Sequence, residues 1–154
     1  MRRWPMDCDR AVVVSGRSGG IPSFFDSAVG GSGSSPTSPL GAGHRKIRDG
    51  EPVLVDLVHV HRGYVSDCTR MFSSGAMSKE WAQRLEEMTQ IGDLVVSKLG
   101  TGSSCSEAWR EGKALSAELG YVDHLMGMPP HQASFLGHSV GLELDESPVV
   151  ASGF

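Results

Sequence analysis

The chain has 154 residues, enough for one domain and too few for two. Lys and Arg total 14 against 18 Asp and Glu, and a formal net charge of -4 excludes a basic nucleic-acid footprint. With 39% hydrophobic residues, and 20 Gly and 8 Pro in no Gly-X-Y period, the composition is globular and loop-rich, not collagenous. No apolar run is long enough to span a bilayer, and Met1-Arg2-Arg3-Trp4-Pro5 leads into acidic residues instead of a signal-peptide core, so a cytoplasmic protein is expected. Cys8, Cys68 and Cys105 are odd in number and lack C-x-x-C spacing, which predicts reduced thiols and no disulfide or zinc framework.

In chain order, Ala11 to Ser15 (AVVVS) reads as a short buried strand bounded by Gly16. Residues 16–43 form a Gly/Pro/Ser-rich excursion. It is expected to be an ordered or semi-ordered surface loop, because too few residues precede it to make a domain. Its segments SGRSGG and GGSGSS lack the Gly-Lys-Ser/Thr ending of a phosphate-binding loop. Pro52 to Val60 and Tyr64 to Phe72 are rich in β-branched residues and predict a β-hairpin.

Ser78 is placed to cap a helix whose Trp81, Leu85, Met88, Val95 and Leu99 follow one stripe, with Gly92 at the missing step and Gly100 after the end. Ser104-Cys105-Ser106-Glu107 predicts a capping box for a second helix ending at Gly120, with Ala108, Leu115 and Leu119 on one side. Both helices are expected to cover a sheet, with Trp81, Trp109 and Met88 as packing residues and no cofactor box. Pro148 to Phe154 reads as a strand or turn just starting.

Asp56 and Asp67 lie on the two arms of the hairpin. A two-residue turn at His61-Arg62 would make them direct cross-strand partners, about 4.5–5.5 Å apart at Cβ, where like charges destabilise the sheet. Flanked by Val53, Val55, Val58 and Val60, the pair would share a proton or hold one or two divalent cations. Two other readings stay open: a three-residue bulged turn that separates the aspartates, or neutralisation by Arg62 or Arg70 on a solvated face. His138, between Gly137 and Gly141 in an alternating segment, is the natural third ligand, since mixed carboxylate and imidazole donors suit first-row divalent ions.

IRDGEPVLV followed by DLVHVHRGYVSDCTRMFSSG resembles the Asp-bearing hairpin of the pita-bread metallopeptidases, the group of methionine aminopeptidase, proline-specific aminopeptidase, prolidase and creatinase. GHSVGLELDESP resembles the same family's His-bearing segment, in the family's order and roughly its spacing. The resemblance covers most of residues 11–154. It implies an α+β, pita-bread fold, incomplete here: an antiparallel curved sheet covered by helices on one face. It also implies that Asp56, Asp67 and His138 are ligands of two divalent metal ions (Mn, Co, Zn or Fe). In the family these share a bridging water or hydroxide that attacks a peptide carbonyl near a free N-terminus.

The expected function is a metal-dependent, Xaa-Pro-type peptidase acting on peptide substrates, with no nucleic-acid or membrane partner and with room for a homodimer in the full-length protein. The expected domain is a partial catalytic domain over 1–154, inactive alone. The alternative is a catalytically inactive pita-bread module used for binding. The family completes its site with two glutamates C-terminal to the His segment, and Glu143 and Glu146 lie too early to match them, so the expectation is a fragment. The family's substrate-contacting histidine, seven residues after the ligand, corresponds to Asp145, which becomes a substrate-binding candidate. A further family histidine after a Pro corresponds to Ser23 of Ile21-Pro22-Ser23.

Overall fold

The computed structural model describes residues 10–23 and 27–154; Met1–Pro5, Cys8 and the pair Phe24-Phe25 lie outside the described residues. Strands β1 (Arg10–Ser15), β2 (Pro52–His61) and β3 (Tyr64–Ser73) form one antiparallel sheet in that order. Helices α1 (Lys79–Lys98) and α2 (Cys105–Glu118) follow, and then β4 (Phe135–Ser139) and β5 (Glu146–Ala151) pair antiparallel in a second sheet. The expected strands and helices are present within a residue or two of their predicted ends, except that the last strand starts at Glu146 and stops at Ala151, three residues before Phe154.

The hairpin turn differs from the expected one. It is built on Arg62 (φ 52°) and Gly63 (φ 85°), and His61 remains in the strand opposite Tyr64. Two left-handed central residues make the turn whose twist matches flanking strands, and Gly63 adopts that conformation without a Cβ penalty. The register therefore moves: Asp56 opposes Thr69, and Asp67 opposes Val58. Because both partners shift together, the period of two is preserved, and the aspartates still share a face as diagonal neighbours.

That shared face is the packed one. Val12 and Val14 of β1, Val58 and Val65 all project from it and are buried. The excursion covers its β1 end. Gly31, with φ 84°, passes so close that an added Cβ would lie 2.8 Å from Val14 Cγ1 and 2.3 Å from the Gly41 carbonyl oxygen. Backbone hydrogen bonds such as Gly41 N to Gly30 O (2.7 Å) and Gly30 N to Ile21 O (2.8 Å) order the loop. Its glycines thus permit backbone-on-backbone packing. On the opposite face, Leu57, Tyr64 and Phe72 are exposed.

Val95, Ala108 and Val150, with Trp109 and Leu136 against them, form the second core between α1, α2 and the β4–β5 ribbon. The helix faces depart from expectation. Ile91 and Val95 are the buried residues of α1, while Trp81, Leu85 and Leu99 are exposed. Among the described elements α1 packs on α2, which at 14 residues is about 9 Å shorter than the 20-residue α1, so one end of the stripe runs past its neighbour. In α2 the buried line is Ala108, Gly112 and Ser116, and Gly112 lets Val95 and Leu136 approach within 2.6 and 2.7 Å of where a Cβ would stand.

Ser78 caps α1 as expected, accepting from Trp81 N. The capping box of α2 does not form. Ser104 makes no side-chain cap bond, and Ser106 Oγ turns to the end of β5, accepting from Gly153 N (2.8 Å) and Phe154 N (3.0 Å). The start of α2 is thereby tied to residues 151–154, which makes a tertiary connection out of serines that read locally as a cap.

Candidate metal centre

Four side chains with ligand chemistry occupy one region. Asp56 sits mid-strand on β2, half-buried, and its carboxylate Oδ1 accepts the Thr69 hydroxyl at 2.6 Å. Asp67 lies diagonally across on β3. A backbone hydrogen bond joins the distant His segment to the hairpin: Val65 N donates to Gly141 O at 2.7 Å, linking β3 to the turn after β4. His138 Nε2 then lies 3.6 Å from Asp67 Oδ2 and 3.2 Å from Asp145 Oδ1. The His138 and Asp67 side chains are largely shielded, at 18% and 27% exposure, and Asp145 is open at 46%.

The turn from β4 to β5 has a specific local cause. Glu146 Oε1 accepts from Leu142 N (2.6 Å) and Glu143 N (2.7 Å), closing the loop that presents Gly141 and Asp145. Gly141 allows this, since a Cβ there would stand 2.7 Å from Glu146 Oε2. Gly137 needs no such allowance, its nearest neighbour being Val150 at an ordinary 3.7 Å. Of the two glycines flanking His138, close approach is therefore a property of Gly141 and not of Gly137. Glu146 spends one oxygen on backbone donors, in keeping with its exclusion as a ligand. Ser23, far earlier in the chain, is buried and donates to Ser27 O at 2.8 Å.

The donor set fits a divalent ion. His138 Nδ1 contacts the Ser139 carbonyl oxygen at 3.1 Å, and because a carbonyl can only accept, Nδ1 carries the proton. With a metal ion bound, this arrangement would leave the Nε2 lone pair directed toward Asp67 and Asp145, the tautomer that metal-binding histidines take when a carbonyl orients them. A lone pair facing two carboxylates is repelled unless a cation or proton lies between them, and carboxylate with imidazole is a donor chemistry for manganese, cobalt, iron or zinc. Among the described residues no three His, Cys, Asp or Glu side chains form a closed metal cage; the donors meet pairwise.

Sequence reasoning expected Asp56, Asp67 and His138 in one site; the structure brings His138 to Asp67 and Asp145, sets Asp56 diagonally across the hairpin from Asp67, and adds groups that orient them. Thr69 follows from the register once the turn is placed at Arg62-Gly63, and Gly63 was the available signal. The Ser139 carbonyl and the Val65–Gly141 bond carry no side-chain signature.

Both sheets and the helices follow the layout of a known class of proteins. Residues 9–154 match metallopeptidase family M24, and the chain belongs to that family. It is 24% identical to a Xaa-Pro dipeptidase of Lactobacillus delbrueckii subsp. lactis over 135 residues, which are 88% of this chain and 35% of that protein. Its structure is similar to a prolidase from Pyrococcus furiosus, with TM-score 0.69, 22% identity, and coverage of 93% of this chain and 36% of that one. The fold also matches the N-terminal domain of FACT complex subunit SPT16 from Cicer arietinum, with TM-score 0.60, 15% identity, and coverage of 93% and 29%. The fold is thus the pita-bread α+β fold, and the chain spans about a third of the length of the curated relatives it matches. Among the described residues no helix is long and apolar enough to cross a membrane.

Proposed function

We propose that this chain supplies one side of the dinuclear metal centre of a peptidase that cleaves Xaa-Pro bonds, with Asp56, Asp67 and His138 as ligands. The observation that carries the reading is the convergence of His138 Nε2 on Asp67 Oδ2 across 71 positions of sequence, with Nδ1 held by a backbone carbonyl. When bound, divalent ions would polarise the scissile carbonyl and stabilise negative charge developing on its oxygen.

The chain's own residues do the orienting. Thr69 holds the Asp56 carboxylate, the Ser139 carbonyl sets the tautomer of His138, and Glu146 fixes the turn that carries Asp145. Asp145, open to solvent beside the imidazole, is placed to meet a substrate amine, for which a carboxylate is an acceptor where the family's histidine could donate.

The 154 residues hold three ligands and not the two glutamates that the family adds. The expected result is weak binding of Mn2+ or Co2+ by this chain and no hydrolysis of Xaa-Pro dipeptides. Metal analysis and a dipeptide-cleavage assay test this, and robust hydrolysis overturns the incompleteness of the site. A second reading, a pita-bread module used for binding without catalysis, is favoured by Asp145 and by the likeness in fold to a subunit of a multiprotein complex. Absence of bound metal in a longer polypeptide carrying both glutamates would select it.

A further inference from the structure

Two carboxylates meet the imidazole of His138, and the one nearer to it is Asp145. Its Oδ1 stands 3.2 Å from Nε2, against 3.6 Å for Asp67 Oδ2. The β4–β5 register shifts between His138 and Ser139, pairing Ser139 with Glu146, so Asp145 leaves the ribbon beside the strand end that carries His138. Glu146 pins this turn by accepting from Leu142 N and Glu143 N. The imidazole is fixed as well. Phe135 packs against it edge-on, at 87° with ring centroids 5.7 Å apart, and the Ser139 carbonyl meets Nδ1.

We propose that Asp145 is itself a metal ligand, joining Asp67 and His138 on one divalent ion. The inference rests on the metal centre proposed above and adds a donor to it, at a position where the sequence resemblance implies a substrate-contacting histidine. Donor spacing carries it. Bonds of about 2.0–2.2 Å to a common ion set neighbouring donors about 2.8 Å apart at a right angle and up to about 3.6 Å apart in a tetrahedron. Both separations at Nε2 lie within that span. The donors meet there in pairs, and rotation of the Asp145 carboxylate, open to solvent at 46% exposure, is the adjustment that brings all three to one ion. Two carboxylates balance the charge of a divalent ion, and with one imidazole they suit Mn2+, Fe2+, Co2+ or Zn2+. Coordination through one oxygen leaves the other as an acceptor for a substrate amine. An ion pair between Asp145 and a protonated His138 would have similar spacing, but it would compete with a metal ion for the imidazole, where a ligand raises metal affinity.

Titration of the 154-residue chain with Co2+ tests the assignment. The expected result is an affinity at least tenfold lower in Asp145→Asn, with circular dichroism unchanged. Asp145→Cys loaded with Co2+ should show a thiolate-to-cobalt charge-transfer band that the unmodified chain lacks, since only a sulfur bonded to the ion produces one. Unchanged or raised affinity in Asp145→Asn overturns the proposal. So does weakened affinity without the new band in Asp145→Cys, which would make Asp145 a nearby charge and not a ligand. Asp67→Asn and His138→Asn separate this failure from failure of the centre. If both bind Co2+ as the unmodified chain does, the centre itself is wrong; if both bind it more weakly and Asp145→Asn does not, only Asp145 is excluded.

Discussion

Thr69 donates its hydroxyl to Asp56 Oδ1 at 2.6 Å from the position directly opposite on β3. The bond is charge-assisted and engages one of the two carboxylate oxygens of Asp56. Removal of a group that orients a metal ligand typically costs about 10–100-fold in metal affinity. Thr69→Val should therefore weaken Mn2+ binding by about that factor while Thr69→Ser restores it, as read by metal titration. Equal affinities for the Val and Ser variants would mean that the hydroxyl does not position Asp56.

Glu51 provides the clearest pH dependence. Two hydrogen bonds from Arg45, at 2.6 Å each, together with the Arg48 backbone N–H and the Ser15 hydroxyl, hold its carboxyl down to about 2 from the usual 4.5. A carboxyl lowered in the folded state stabilises the fold fully above its unfolded value and progressively less as pH falls through the folded one. This contribution should vanish between pH ~4.5 and ~2. Urea melts over that range should show a steeper acid loss for the unmodified chain than for Glu51→Gln. Parallel acid profiles would exclude Glu51 as the source.

Ser106 Oγ takes the backbone N–H groups of Gly153 and Phe154 and donates to Ala151 O at 3.2 Å. Ser106→Ala leaves those exposed groups to solvent, a cost of about 0.5–1.5 kcal/mol for each bond lost. Amide exchange at Gly153 and Phe154 should accelerate well before global unfolding, because the strand end is released while α2 remains packed.

Gly112 sits where α2 meets Val95 and Leu136, and a Cβ would stand 2.6 and 2.7 Å from their methyl carbons. Gly112→Val should destabilise the chain by ~3 kcal/mol through overpacking, with little helix-propensity gain to offset it. Gly92→Ala on α1, where nothing lies within 4 Å of the added carbon, should instead stabilise by up to ~1 kcal/mol. Thermal melts of the two variants should move in opposite directions.

Local pattern identified the strands, both helices and the Ser78 cap, because period and capping chemistry are properties of neighbouring residues, and it singled out Asp56, Asp67 and His138 as the proposed ligands. Which face of each helix is buried was not available in the same way. Trp81, Leu85 and Val95 lie on one apolar stripe, yet Val95 and the neighbouring Ile91 are buried while Trp81 and Leu85 are exposed. The hairpin lies between these cases. Its arms were evident, but its register depended on whether the turn used His61 or Gly63, a choice that backbone handedness makes.

The aspartates share a face under either register, since a strand alternates with period two and the two arms shift together. That much of the centre is written in residues 56 to 67. The arrival of His138 beside Asp67 rests instead on the Val65–Gly141 backbone bond and on Glu146 closing its turn, interactions between groups that every sequence contains or that read locally as something else. Ligand identity is a matter of side-chain chemistry and is local; ligand convergence is a matter of which backbone groups meet across the fold, and only the tertiary structure decides it.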